Sequence, residues 1–251
     1  MRTRLVLLAI AIATMACASQ PADVARPVSD GDEPLVGYLL TPPDARLFLP
    51  PPPSAASALQ AGEIDAVLML SQTQDSSRRA QAIADNRIDP GQTFALTLGA
   101  TIGPDVTPNL ARVLGRLTND IAAASGPAKD EYDRLRPFQV QAALAPCFAE
   151  DAALMARLAN SRSYPSGHAA LGWAWALILA EMAPERADAI LARGHDYGWS
   201  RVVCGLHFPS DVAAGQLVAA ATVAALHADP SFQRDFTLAR IELRELLGLP
   251  L

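Results

Sequence analysis

Two short stretches, Tyr-Pro-Ser-Gly-His at 164–168 and Ser-Arg-Val-Val-Cys-Gly-Leu-His-Phe-Pro-Ser-Asp at 200–211, concentrate side chains that suit anion chemistry. They hold two histidines, an arginine, an aspartate and serines, at places that read as element ends and not as the middle of a helix face. Pro165 and Ser166 are start signals, and the apolar run 169–180 reads as helix until Glu181 and Pro184 close it. The amides of Gly167 and His168 then stand at a helix N-terminus, where unsatisfied donors and the macrodipole favour an anion. In the second stretch Ser210 reads as the cap of a helix beginning near Asp211, which sets His207 in the preceding turn with a carboxylate four residues on.

Each residue type has a matching chemical use. His168, beside a serine hydroxyl and exposed amides, is suited to donate a proton to a departing alkoxide, although a histidine at a helix start also serves as a plain capping or packing residue. With Asp211 in reach of one ring nitrogen, His207 keeps the other unprotonated, as a nucleophile requires. Arg201 offers a planar fork for bidentate contact with oxyanions. Lys129 and Arg136 are seven residues apart, nearly two helical turns, so on one continuous helix they project from one face and grip the same anion. Other candidates read as structural: His195 as a surface or packing residue, Trp173 and Trp175 as core or pocket wall, Arg134 as solvated, and His227 as lacking a partner in sequence. No Cys/His cluster has zinc spacing.

The elements that must position these groups are helical. Segments 58–70, 77–84 and 92–98 carry helical spacing, and 105–124 is a longer amphipathic stretch with Leu110, Val113, Leu114, Leu117 and Ile121 on one side. No period-2 alternation persists, which predicts an all-α bundle. The apolar runs 169–180 and 212–226, about 12 and 15 residues, fall short of the roughly 20 that a spanning helix needs. Rich in alanine and glycine, they read as buried helices packed through small side chains, so no membrane span is expected. Residues 231–247 form a charged amphipathic helix that covers the core.

The 251 residues, 51% hydrophobic, suffice for one good-sized core. Residues 1–18 read as a secretory signal, with Arg2 and Arg4, an apolar stretch and Ala16-Cys17-Ala18 before the cleavage point; a lipid anchor on Cys17 is the rival. Residues 19–55, with Pro42-Pro43 and the run Pro50–Pro53, read as an extended proline-rich arm, and 56–251 as the helical domain. Without Arg2 and Arg4 the basic residues fall to 18 against 26 acidic, a net charge of −8 that argues against nucleic acid or an anionic membrane surface as partner. The remaining Cys147 and Cys204, an even pair in an oxidising compartment, form either a disulfide or two buried thiols. A bridge would stabilise the fold by about 4 kcal/mol in the chain-entropy account.

Lys-x(6)-Arg-Pro at 129–137, Pro-Ser-Gly-His at 165–168 and Ser-Arg-x(5)-His-x(3)-Asp at 200–211 together resemble the three-part signature of the phosphatidic acid phosphatase type 2 and vanadium haloperoxidase superfamily. Beyond the signature, Ser-Tyr-Pro-Ser-Gly-His and Ser-Arg-Val-Val-Cys-Gly look like the bacterial class A non-specific acid phosphatases, over roughly residues 35–235. The resemblance implies hydrolysis of small phosphate monoesters in the periplasm, with phosphotransfer to alcohols as a side activity. In it His207 attacks phosphorus, Asp211 orients His207, and His168 protonates the leaving oxygen. Lys129, Arg136, Ser166, the Gly167 amide and Arg201 hold the equatorial oxygens, and no metal or other cofactor is required. It also implies a homodimer or larger assembly. Two relatives in chemistry remain as alternatives, a vanadate-dependent haloperoxidase and a lipid phosphate phosphatase. The chain departs from the pattern at Arg162, Ala169 and Phe208-Pro209, changes expected to add charge near the site and to reshape its rim.

Overall fold

The computed structural model describes residues 29–30 and 33–251; the expected signal segment 1–18, with Cys17, and the first part of the proline-rich arm lie outside the described residues. Apart from an antiparallel pairing of Ser29–Asp30 with Glu33–Pro34, the described regular structure is helical. Ten helices run α1 Ala58–Thr73, α2 Ser76–Ala84, α3 Pro90–Leu98, α4 Pro108–Tyr132, α5 Pro137–Val140, α6 Ala152–Ala159, α7 Gly167–Met182, α8 Ala187–Val203, α9 Pro209–Leu226 and α10 Pro230–Leu247, among the described residues. The fold is all-α, in one compact body.

Capping explains many of the boundaries. Ser57, Asp75, Asp89, Asp151, Ser166 and Asp229 each accept a backbone N–H of the turn they open. Proline stands in the first turn of α3, α4, α5, α9 and α10, where its missing N–H costs nothing.

Helix α7 is the centre of the bundle. Nearly every residue from Gly167 to Met182 is buried, so the stretch is apolar on all sides, and it packs most closely against α8 and α9. Small residues permit the contact: a Cβ on Gly215 of α9 would lie 2.5 Å from the Ser166 carbonyl oxygen. That close approach brings the start of α9, and Asp211 with it, against the start of α7. Among the described residues one helix, α9, is long and apolar enough to cross a membrane by length and composition; half of it is buried in the core.

Three readings of the chain are corrected here. The expected helix 105–124 continues to Tyr132 through Gly126 and Pro127, since Pro127 forfeits one intrahelical bond inside a helix already anchored by buried Leu110, Leu114, Leu117 and Ile121. Asp133 in the left-handed region ends α4, so Arg136 lies beyond it as the residue before α5. Lys129 and Arg136 therefore do not share a helix face. Helix α9 begins at Pro209, with Phe208 as its cap, and not at Ser210: the Asp211 carboxylate reaches back to the Phe208 N–H at 2.8 Å.

The described part of the proline-rich arm drapes over the bundle. Tyr38, Ala45 and Leu49 enter the main core, and the Asp120 carboxylate of α4 accepts the backbone N–H groups of Tyr38 and Leu39 at 2.9 and 3.0 Å.

Candidate active site

The segment 158–168 is where Lys129, Arg136 and Asp211 meet. Lys129 Nζ, from the last turn of α4, donates to the Arg162 carbonyl at 2.8 Å. The Arg136 guanidinium is fully buried and donates to the carbonyls of Leu158, Ser161 and Leu206 and to the Ser161 hydroxyl. Ser163 Oγ donates to Asp211 Oδ2 at 2.5 Å and stands 3.4 Å from His207 Nδ1. Ser166 caps α7, with its hydroxyl accepting from the Ala169 N–H and its own N–H bonded to the Asp211 carbonyl at 2.9 Å, so Gly167 is the first helical residue and His168 the second.

His207 is wholly buried and held at both ring nitrogens. Nδ1 lies 3.3 Å from Asp211 Oδ2, and Nε2 lies 2.9 Å from Arg136 Nη1. Burial alone would push the Asp211 carboxyl up; the hydrogen bond from His207, the Arg134 guanidinium and the Ser163 hydroxyl outweigh it and hold the group at about 2. An ionised carboxylate can only accept and a guanidinium can only donate. The proton of neutral His207 therefore sits on Nδ1, and Nε2 carries the lone pair.

The turn that presents His207 is built by α8. Leu206 and His207 N–H both bond the Arg201 carbonyl, and Gly205 just before them has φ of 71°, the left-handed region that suits a residue without Cβ. Cys204 caps the end of α8 and forms a disulfide with Cys147, Cα to Cα 4.8 Å, which ties this turn to the loop before α6. The bridge reading of the two cysteines holds.

His168 and Arg201 converge on a different segment. His168 Nε2 lies 3.2 Å from the Asp85 carbonyl, and Arg201 Nη1 donates to Asn86 Oδ1 at 2.7 Å. A carbonyl oxygen only accepts, so Nε2 of His168 is protonated. The His168 ring stacks on that of Tyr197, centroids 5.3 Å apart, and burial holds the Tyr197 phenol far above its ordinary range. The Asp85 side chain is itself locked, accepting from Ser200 Oγ and Gln81 Nε2 and pairing with Arg193.

Two expectations fail here. Arg134, read as solvated, is buried: Nη1 meets Asp211 Oδ1 at 2.5 Å, Nη2 meets Glu63 Oε2 at 2.8 Å, and the guanidinium lies over the Phe208 ring at 4.1 Å. Phe208 is accordingly buried under Arg134 and shapes no rim. Asp85, Ser163, Arg134 and Glu63 are the residues that sequence reasoning missed. The available signals were that Arg134 stands two residues before Arg136 and that Ser163 opens the stretch 163–168, whereas Glu63 lies 71 residues from Arg134 and Asp85 83 from His168. Arg162 does bring charge close by, pairing with Asp133 while its carbonyl holds Lys129. The other readings stand: His195 is exposed and stacked on Trp199, Trp175 is buried in the core, and Trp173 is half-buried. His227, without a partner in sequence, meets Glu181 at 3.1 Å. Among the described residues no group of three His, Cys, Asp or Glu side chains is arranged to hold a metal ion.

The PAP2 superfamily matches the chain over residues 111–235, a span that contains Lys129, Arg136, His168, Arg201, His207 and Asp211. An acid phosphatase of Zymomonas mobilis is 38% identical over 205 residues, covering 80% of this chain and 76% of the relative. The chain belongs to the PAP2 superfamily. Within that superfamily it is also similar to non-specific acid phosphatases of Providencia stuartii, 36% identical over 81% of this chain and 82% of the relative, and of Salmonella typhimurium, 36% identical over 80% and 81%. The PAP2 signature pieces thus fall on α4 and the turn before α5, on the start of α7, and on the α8–α9 turn.

Proposed function

We propose that this PAP2 protein is an acid phosphatase that hydrolyses a range of phosphate monoesters through a phosphohistidine on His207. The observation that carries the reading is the clamp on His207, with Arg136 at Nε2 and an ionised Asp211 at Nδ1. Nε2 attacks phosphorus and the bond to the leaving oxygen breaks, with its electron pair going to that oxygen. His168 supplies the proton that makes it an alcohol. Arg136 exchanges its contact with Nε2 for the equatorial oxygens, beside Lys129, Arg201, Ser166 and the Gly167 amide. Asp211 stabilises the charge that His207 acquires. Water then attacks phosphorus, giving its proton to His168, the P–N bond breaks, and inorganic phosphate leaves; an alcohol in place of water gives phosphotransfer. Preorganised cations and amides supply the stabilisation of the spread negative charge.

Support comes from the three acid-phosphatase relatives and from the cation set gathered around one segment. Export to the periplasm is part of the reading, supported by the disulfide and by the leader-like residues 1–18. A homodimer or larger assembly belongs to it as well, and light scattering on the purified chain measures it. The test of mechanism is rapid acid quench during turnover of an aryl phosphate in the presence of a chelator. A phosphorylated peptide containing His207 is expected, with activity retained; turnover without that adduct, or activity abolished by the chelator, overturns the reading.

A further inference from the structure

Beside the His168 and Arg201 half of the site lies a cavity of about 740 Å³, within the size range of small-molecule pockets. Its wall is largely apolar, from Ile88, Ile102, Leu110 and Leu114, and Asn86 forms its edge nearest the site. Asn86 is the residue that Arg201 bonds, and its neighbour Asp85 is the one whose carbonyl holds His168. In an in-line displacement the departing group lies opposite the nucleophile, on the side of the acid that protonates it. Asn86, which follows the Asp85 carbonyl that meets this acid, is what joins the cavity to that side.

Trp175 lines the same cavity and is only 1% exposed, yet its indole Nε1–H has no hydrogen-bond partner. A buried donor left unpaired is costly, and native proteins rarely keep one without a use. Of the other polar groups on the wall, Thr118 bonds the Leu114 carbonyl and Thr107 bonds Gly103, while Asp89, Asp105 and Arg157 bring charge to it. Trp175 follows His168 by seven residues of α7, so the two lie on the same helix face about 10 Å apart along the axis.

We propose that this cavity is the leaving-group subsite. It selects phosphate monoesters of extended, flat, mostly apolar alcohols that carry a hydrogen-bond acceptor near their far end, where Trp175 Nε1–H meets it. The inference rests on the phosphatase reading and adds a substrate class to it.

The experiment compares kcat/KM for 4-methylumbelliferyl phosphate, which has a far carbonyl, 2-naphthyl phosphate, which has the same bicyclic shape and no acceptor, and methyl phosphate. Trp175→Phe, which removes the N–H and keeps a ring, is expected to lower the umbelliferyl-to-naphthyl ratio by about three- to tenfold, as for one lost hydrogen bond. Ala111→Phe, which fills the cavity from α4, is expected to lower the naphthyl-to-methyl ratio at least about tenfold. Ratios unchanged in both variants overturn the subsite while leaving the phosphatase reading intact. Failure of the unaltered chain to cleave any of the three esters sinks the phosphatase reading, and the subsite with it. On the unaltered chain, competitive inhibition by free 4-methylumbelliferone is expected to be tighter than by 2-naphthol; equal or reversed potency also overturns the proposal.

Discussion

The two histidines of the site sit in opposite kinds of surroundings. His207 is gripped by charge: a guanidinium on Nε2, a carboxylate on Nδ1, and behind that carboxylate the buried Arg134–Glu63 pair. His168 meets a backbone carbonyl and the face of a tyrosine ring. Charged partners on both sides fix which nitrogen bears the proton, which is what a nucleophile needs. The carbonyl and the ring face hold the His168 ring in place with its Nε2 proton on the Asp85 carbonyl. The difference teaches that the two rings are oriented separately, His168 by the start of α7 and His207 by the α8–α9 turn.

The most severe way to break this comparison is to remove the rings. His207→Ala is expected to lower kcat by about 10⁴-fold or more, as loss of a nucleophile does, and His168→Ala by about 10²- to 10⁴-fold. Steady-state rates on an aryl phosphate measure both; an activated ester whose leaving group needs no proton should rescue the second variant and not the first. Next comes the charged support. Arg134→Ala leaves Asp211 and Glu63 buried without their cation and is expected to cost about 3–5 kcal/mol of stability, read by urea denaturation, together with a fall in kcat. A loss under about 1 kcal/mol would mean that His207 does not depend on charge in the way described.

Asp85→Asn tests the His168 side. It weakens the pairing with Arg193 while retaining the backbone carbonyl, so a drop in kcat of about tenfold is expected, from loosened placement of His168 and Arg201. The smallest effect concerns pH. Asp211 is held at about 2, below the ordinary carboxyl value near 3.9, so its contribution to stability is complete above about pH 4 and is lost as pH falls through about 2. The stability gap between the unaltered chain and Asp211→Asn should be flat from pH 4 to 8 and close between pH 4 and 2.

Much of this was legible in the chain. The start of α7, the all-helical character and the identity of the two histidines follow from local signals: Pro and Ser at a helix start, period-3.6 apolar residues, and unusual polar residues at element ends. Less legible was continuity. Nothing local says that α4 carries on through Gly126 and Pro127, because the bonds lost there are offset by packing against distant helices. The same cause placed Arg134 among solvated residues, as its partners Glu63 and Asp211 are 71 and 77 positions away.

By itself, then, the sequence determined which side chains are available for chemistry and which end of which helix each occupies, since capping and start signals act over a few residues. Tertiary structure alone decided that Arg136 faces Nε2 of His207 and that Asp211 stays ionised at the centre of the bundle. Those outcomes depend on how closely α7, α8 and α9 approach one another, and close approach is a property of packed surfaces that no single stretch of chain contains.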